Sequence, residues 1–360
     1  MKSRLRKLGR VRVGLIGAGI MGTYGHFPGY MEVPTRAQIV AVCDKNPKAV
    51  ENIVVKSGAK GYSDYQELLA DPSVDAVDIC LPHNLHGPVA LAALKAGKHV
   101  IVEKPFTIDL GQADQVIAEA KKNNLKLMVA ENMRFIKAYE VAKRLVDSGT
   151  IGDLCYVRGY TGGPNEESTD PSNWRIRAAE SGGGTMMDDG IHCFYLFNWF
   201  VGDVKSVYAV TTKYRKSSVS EVEDNAVGTL RFSNGALGIF GFSTTTASPW
   251  TEELQLFGTK GSIFVDFLAS NALRVFSTVR RSTNSADWWG RYGDISWEYP
   301  FIEHSTTEWV TASMQREVQH FVECIQNGKQ PLVSGEDGKR AVELCLKAYE
   351  SAREGKEVSF

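Results

Sequence analysis

Several things are scarce in this chain of 360 residues, and each scarcity removes a class of function. There is no excess of one charge: 41 Lys and Arg balance 42 Asp and Glu, for a net charge of −1. A nucleic-acid-binding face needs clustered basic residues, and the one basic cluster is Lys2-Ser3-Arg4-Leu5-Arg6-Lys7 at the start. No apolar stretch follows those charges, so the segment does not read as a secretory signal. No uninterrupted apolar run is long enough to span a membrane. Repeats and low-complexity tracts are absent. The six cysteines (Cys43, Cys80, Cys155, Cys193, Cys324 and Cys345) are widely spaced and form no C-x-x-C pair. Buried free thiols in a reducing cytoplasm account for them better than disulfides or zinc, and no metal site is expected.

What remains is ordinary globular composition, 43% hydrophobic and 23% charged, in a chain long enough for two domains. The most informative stretch is Val11-Arg12-Val13-Gly14-Leu15-Ile16-Gly17-Ala18-Gly19-Ile20-Met21-Gly22. A buried-strand pattern runs straight into G-x-G-x-x-G, the context that separates a dinucleotide-binding turn from a chance glycine cluster. Gly17 serves the tight turn, Gly19 the close approach of a pyrophosphate, and Gly22 close helix-to-strand packing. Ile20 and Met21 complete the turn, and the helix that follows offers its free N–H groups to the phosphates. The next strand, Gln38-Ile39-Val40-Ala41-Val42-Cys43, ends on Asp44, 27 residues beyond Gly17, against a usual spacing of roughly 20. Asp44 is placed to accept from the adenosine ribose hydroxyls and to repel a 2′-phosphate, which favours NAD. Lys45 offsets part of that repulsion and keeps NADP as the alternative. A second reading of Asp44 is a helix cap before Asn46-Pro47.

Strand-like and helical patterns alternate from Val11 to about Ala130: strands at Val11–Ile16, Ile39–Cys43, Ala76–Leu81, His99–Val102 and Leu125–Ala130, helices at Asp64–Ala70, His86–Ala96 and Gly111–Lys121. Such alternation predicts a parallel sheet with helices on both faces. After a helix at about Tyr139–Ser148, alternating segments take over: Leu154–Tyr160, Val204–Tyr214, Asn225–Phe232, Ala236–Ser243 and Glu253–Phe267. Ser233-Asn234-Gly235 marks a hairpin between two of them. One helical pattern, Thr185–Phe200, interrupts this half, and Thr311–Gln326 and Gly335–Ala352 read as amphipathic helices. The expected fold is therefore α/β: residues 1–130 as a Rossmann dinucleotide-binding domain, and 131–360 as an α+β domain with a large, mostly antiparallel sheet. Val207, Tyr208, Val210, Leu230, Phe232, Ile239 and Phe240 place apolar groups on both faces of its strands. A sheet covered by helices on only one side needs a partner, which predicts a homodimer or homotetramer.

Two segments carry residues for chemistry. Strand His99–Val102 ends in Glu103-Lys104-Pro105, at the end of the sheet where ligands bind in such folds. Lys104 there can polarise a substrate hydroxyl; alternatively it is a surface residue paired with Glu103. The second segment runs Gly182-Gly183-Gly184-Thr185-Met186-Met187-Asp188-Asp189-Gly190-Ile191-His192. In one helix, Asp188 and His192 are i and i+4 and share a face, so the carboxylate can orient the imidazole as a general base. The alternatives are a capping role for Asp188 and a core role for His192. Trp174-Arg175 supplies either a sugar-stacking plane and a hydroxyl or carboxylate clamp, or a ring packed under a loop beside a surface charge. Tyr160, Asn165 and Arg177 are weaker candidates.

Taken in order, Gly17–Gly22, Leu81-Pro82-His83-Asn84-Leu85-His86, Ala96-Gly97-Lys98-His99-Val100-Ile101-Val102-Glu103-Lys104-Pro105, Asn132-Met133-Arg134-Phe135, Ser148-Gly149-Thr150-Ile151-Gly152, Gly182–His192 and Gly335-Glu336-Asp337-Gly338 resemble the Gfo/Idh/MocA family of nicotinamide-dependent sugar and cyclitol oxidoreductases. The resemblance spans Val11 to Phe360. It implies a Rossmann domain followed by an open-faced sheet domain, with the substrate over the nicotinamide between them, and a dimer or tetramer joined through that sheet. It makes Lys104 the lysine of the Glu-Lys-Pro motif, His192 the proton acceptor, and Asp188 a partner of substrate or histidine. Glu103, Leu81, Pro82 and His86 fall among the cofactor contacts. Tyr195 and Lys137 stand where the family often has Asp and Pro. The reaction implied is hydride transfer from a secondary alcohol of a sugar, sugar derivative or cyclitol to NAD. Two rivals share the architecture: an NAD-assisted glycosidase, which gives no net NADH, and a non-catalytic dinucleotide-binding regulator.

Overall fold

The computed structural model describes residues 9–164, 170–215, 219–266, 273–278, 296–299 and 306–360, with 296–299 and 306–310 as backbone alone. The chain divides into two compact units. The first comprises the described residues up to Phe135, with Ala179–Gly182 and Val310–Val342; the second comprises those of Ile136–Ala178, Gly183–Trp309 and Glu343–Phe360.

In the first unit the alternation expected from the sequence is realised. β1 (Val11–Ile16) leads into a π-helix (Met21–His26) and α1 (Phe27–Met31); then follow β2 (Ala37–Cys43), α2 (Pro47–Ser57), β3 (Lys60–Tyr62), α3 (Tyr65–Ala70), β4 (Ala76–Ile79), α4 (His83–Lys95), β5 (His99–Glu103), α5 (Leu110–Lys122) and β6 (Leu127–Ala130). The strands form one parallel sheet in the order β3-β2-β1-β4-β5-β6. Its central strands read as near-continuous apolar runs because both faces are covered: Val13, Leu15, Val77, Ile79, Val100, Ile101 and Val102 are fully buried. β3 was not evident from the sequence. Its three residues, Lys60-Gly61-Tyr62, are too short a run to show a period.

The second unit begins with α6 (Lys137–Asp147) and β7 (Leu154–Gly162), then α7 (Ala178–Ser181, which ends in the first unit), α8 (Thr185–Asp188) and α9 (Gly190–Phe200). Strands β8 (Val204–Thr212), β9 (Asn225–Phe232), β10 (Leu237–Ser243), β11 (Thr251–Gly258), β12 (Gly261–Asp266), β13 (Leu273–Ser277) and β14 (Ser296–Tyr299) follow. The chain closes with α10 (Thr306–Asn327), α11 (Gly335–Glu354) and β15 (Val358–Ser359). The second sheet runs β14-β13-β12-β11-β7-β10-β9-β8-β15 and is antiparallel except where β10 lies parallel to β7. The Asn234-Gly235 turn joins β9 to β10 as expected, with Gly235 at φ +91° and the Asn234 side chain accepting from Ala236 N.

Three sequence expectations change in detail. The run Glu253–Phe267 is a hairpin of β11 and β12 rather than one strand, and Phe267 lies outside the described residues. It breaks at Gly258, where a Cβ would come within 2.2 Å of the Ile151 carbonyl oxygen. β8 stops at Thr212 because Tyr214 and Arg215 donate their N–H groups to the Asp224 carboxylate, at 2.7 and 2.9 Å, instead of to a strand. The helical pattern Thr185–Phe200 divides at Asp189 into α8 and α9.

One face of the second sheet is packed by α9. Phe194 meets Phe240 and Phe242 edge to face, and Phe197 does the same with Phe232. Gly159 lets that helix approach, since a Cβ there would lie 2.1 Å from the Cys193 sulfur. The opposite face keeps Tyr208, Val210, Val227 and Leu237 exposed, whereas their alternates Val207, Leu230, Phe232 and Phe240 are buried. All six cysteines are free thiols; Cys43, Cys193, Cys324 and Cys345 are buried, Cys80 is half-buried and Cys155 is exposed.

Candidate functional site

The glycine turn divides its three glycines by function. Gly17 has φ +100°, and a Cβ on it would lie 2.1 Å from the Cys80 carbonyl oxygen. A Cβ on Gly22 would lie 2.1 Å from the carbonyl oxygen of Gly17. Both positions exclude every side chain. Gly19 is the opposite case: nothing stands within 4 Å of its would-be Cβ, so the backbone there is open to a ligand. Ile20 is exposed and Met21 half-buried beside it. The segment after the turn starts as a π-helix, with Phe27 N donating to the Gly22 carbonyl five residues back.

Asp44 follows β2. Its Oδ2 accepts from Ala18 N and its Oδ1 from Asn46 N, both at 2.8 Å. It does not cap α2; Asn46 is the N-cap, its side chain accepting from Lys48 N. A carboxylate tied to the middle of the glycine turn is within the nucleotide cradle, so this structure has the residues that NAD would need: an open Gly19 and an acid beside it.

At the neighbouring strand ends, Pro82 starts α4 and Leu81 offers its carbonyl to His86 Nε2 at 2.7 Å. His86 Nδ1 lies equally close to the Pro105 carbonyl, so the ring ties the loop after β4 to the loop after β5. Two carbonyls would suit a doubly protonated ring, but complete burial, with His83 adding to it, pushes His86 down to about 4. Burial dominates, and the ring is neutral. Glu103 ends β5, is 6% exposed, and accepts from its neighbour's backbone, Lys104 N, at 2.9 Å. Burial alone would raise its pKa, yet His26 first and then Lys104 hold it below the usual value. Glu103, Lys104, His86, Leu81 and Pro82 thus share one edge of the parallel sheet.

In the second unit, Asn173 caps a short 3-10 turn, Trp174–Ile176, that carries the aromatic-arginine pair. The Arg175 guanidinium lies over the Trp174 ring at 4.5 Å and donates from Nε to Asp188 Oδ2 at 2.9 Å. Asp188 closes α8, and His192 lies in the first turn of α9, 9% exposed. The two therefore belong to successive helices rather than to one continuous face. The capping role considered for Asp188 is not seen: α8 has Gly184 at its N-cap, and the acceptor for its free N–H groups comes from far along the chain. Glu223 accepts from Gly184 N (2.9 Å), Met186 N (3.0 Å) and Tyr349 OH (2.8 Å). Burial raises its pKa in spite of these donors. Sequence reasoning missed Glu223, because Glu221-Val222-Glu223-Asp224 reads as an exposed acidic turn. Tyr195 is buried on α9, and Lys137 opens α6 with its Nζ 3.1 Å from Glu140. Tyr160 and Arg177 are half-buried, and Asn165 lies outside the described residues.

Residues 11–131 match the oxidoreductase family with the NAD-binding Rossmann fold, and residues 139–264 match the GFO/IDH/MocA C-terminal domain. Over 97% of its length the chain is 31% identical to myo-inositol 2-dehydrogenase of Thermotoga maritima, covering 98% of that protein. The chain belongs to the Gfo/Idh/MocA family of oxidoreductases. Another member, the NAD(+)-dependent scyllo-inositol 2-dehydrogenase of Bacillus subtilis, is 28% identical over 98% of this chain and 96% of its own length. Among solved members, levoglucosan dehydrogenase in complex with NADH and levoglucosan superposes with a TM-score of 0.85 at 25% identity, covering 97% of this chain and 99% of that one. Membership makes residues 11–131 an NAD-binding Rossmann domain. Among the described residues, no helix is long and apolar enough to cross a membrane.

Proposed function

We propose that this protein oxidises a secondary alcohol of a cyclitol or closely related sugar, passing the hydride to NAD. The observation that carries this reading is end-to-end similarity to two inositol dehydrogenases; the resemblance gives Lys104, Asp188 and His192 the catalytic roles. NAD, held by Gly17, Gly19, Ile20, Met21, Gly22 and Asp44, supplies the hydride acceptor. His192 takes the hydroxyl proton. Lys104 hydrogen-bonds the same oxygen and stabilises its developing negative charge. Asp188 orients the reacting group, and Arg175 holds Asp188 through its Nε at 2.9 Å. Trp174 and Arg175 are proposed substrate contacts, and Leu81, Pro82, His86 and Glu103 line the cofactor.

Preference for NAD over NADP rests on Asp44, which would face a 2′-phosphate with a like charge. Assembly into a homodimer or homotetramer rests on Tyr208, Val210, Val227 and Leu237, exposed together on one face of the second sheet, which a second copy would cover. The reading is tested by following NADH formation at 340 nm across inositols, aldoses, uronates and anhydrosugars. Net NADH from a cyclitol or sugar supports it; turnover of a glycoside without net NADH would replace it with the NAD-assisted glycosidase.

A further inference from the structure

A group of ionisable side chains lies buried in the first unit beside Glu103, and Glu103 alone among them has a cofactor role. At its centre is His26, fully buried. The wide π-turn brings it there, because the Gly22-to-Phe27 bond takes one more residue per turn than an α-helix would. Both oxygens of Asp78, itself fully buried in β4, lie 2.9 Å from His26 Nδ1. On the opposite side of the ring, Glu103 Oε1 lies 3.2 Å from Nε2, an ion-pair distance rather than a well-aligned hydrogen bond. Tyr30 on α1 donates to Asp78 Oδ2 at 2.8 Å, and Cys80 lies 3.4 Å from Asp78 Oδ1. Glu317 of α10 approaches Nε2 to 3.9 Å; neither of its buried oxygens has a hydrogen-bond partner. α10 comes this close because Gly29 of α1 has no Cβ, which would lie 2.4 Å from Val318.

A neutral imidazole has one N–H. Carboxylates on both ring nitrogens would leave its lone pair facing a negative charge, a costly arrangement where no water intervenes. From this geometry we infer that His26 is a positioning residue for the polyol oxidation: held as imidazolium between Asp78 and Glu103, it fixes the Glu103 carboxylate that in turn holds Lys104. The inference rests on the role given to Lys104 above. Burial works against the charge on His26, but Asp78 and Cys80 outweigh it and raise its pKa well above the ordinary value. Glu317 is pushed well up, by burial first and then by Glu103, Glu131 and Asp78, which weakens its hold on the ring. The result is a row of alternating charge, Asp78, His26, Glu103, whose last carboxylate accepts from Lys104 N and feels the lysine's charge. His26, Asp78 and Cys80 also bring three metal-binding atom types within 4.8 Å, but the ring nitrogen and carboxylate that a metal would need already bind each other.

Two measurements on the full chain test this. Nitrogen-15 spectra of histidine-labelled protein at pH 8, with the His26 signals identified by their loss in His26→Gln, should show both ring nitrogens protonated. A neutral tautomer at pH 8 overturns the inference, and so does displacement of the ring protons by added zinc. In steady-state kinetics, His26→Gln and Glu103→Gln should each lower kcat by about tenfold, and His26→Gln, at a residue with no cofactor contact, should leave the KM for NAD within about twofold. On a Lys104→Ala background, His26→Gln should cost nothing further, whereas a purely structural role gives additive losses and overturns it. Glu103→Gln keeps the test open if His26→Gln fails to fold. The spectra need no substrate, so a failed polyol screen sinks the proposed substrate class while they still decide the state of His26.

Discussion

The two units fix their chemistry-bearing residues by different means. In the first, Glu103 and Lys104 stand at a strand end anchored by buried charges: Asp78, His26 and Glu103 in one line, with Glu317 beside it. In the second, Asp188 and His192 stand on two short helices placed by shape. Aromatic rings of α9 interlock with β9 and β10, and a single carboxylate, Glu223, gathers the N–H groups that open α8. Charge in a dry interior is strong, but it changes with pH. Aromatic packing is insensitive to pH but fails wherever volume is lost. The first unit should therefore respond more to titration, and the second, where Glu223 is the titratable anchor of α8, more to truncation.

The largest effects should come from the two proposed reacting groups, one in each unit. Lys104→Ala and His192→Ala should each lower turnover by about a hundredfold or more with NAD affinity nearly unchanged, measured by stopped-flow turnover and cofactor titration. If His192→Ala instead loses folding stability at near-normal specific activity, the histidine is a core residue and the contrast holds for packing alone.

Next in size is Glu223→Ala. Met186 N and the Tyr349 hydroxyl lose their acceptor, while Gly184 N keeps the Tyr349 oxygen at 3.1 Å; each buried orphan costs about 1–3 kcal/mol. Thermal melts should show the loss, with Glu223→Gln the milder of the two. A melt unchanged by Glu223→Ala would mean that α8 does not depend on it.

Glu317→Gln probes the first unit's response to pH. Its folded pKa is raised above the unfolded value, by burial first. Such a group favours the fold below the unfolded pKa, and that contribution is lost as pH rises towards the folded pKa. Wild-type stability should therefore fall on moving up from about pH 5, and Glu317→Gln should flatten the fall. Melts of the two proteins should nearly coincide near pH 5 and diverge towards pH 9, the variant being the more stable. Parallel curves would remove titration as the distinguishing property of this unit.

Smaller still is the effect of Asp44→Ala, which should narrow the ratio of kcat/KM for NAD over NADP; like-charge repulsion of this kind is worth at most a few kcal/mol. Equal wild-type efficiencies with the two cofactors would remove the role given to Asp44. The least effect on turnover is expected from Val227→Lys, on the open sheet face opposite Val210. It should lower the assembled mass seen by light scattering at micromolar concentration without changing the melt of the isolated chain. A wild-type monomer would show that this face needs no cover.

Much of this was legible in the sequence where the signal is local. β1 and β9 have the bounds their patterns predicted, Val11–Ile16 and Asn225–Phe232. Gly17, Gly22 and the Asn234-Gly235 turn were readable because steric exclusion and positive φ are properties of a few neighbouring residues. The parallel sheet followed from the alternation of periods. Residues whose importance depends on distant neighbours were not readable. Glu223 looked like part of an exposed acidic turn, since its partners Gly184, Met186 and Tyr349 are far away in the chain. Asp78 passed unnoticed inside an apolar strand, and His26 looked like one more residue after a glycine turn. Their meaning comes from desolvation and from charges that only folding brings together. Sequence by itself determined which stretches bury and where the backbone must bend, because both follow from the shape and polarity of adjacent residues. The tertiary structure alone decided which ionisable groups face one another, because at a few ångströms in a dry interior that geometry sets their charge.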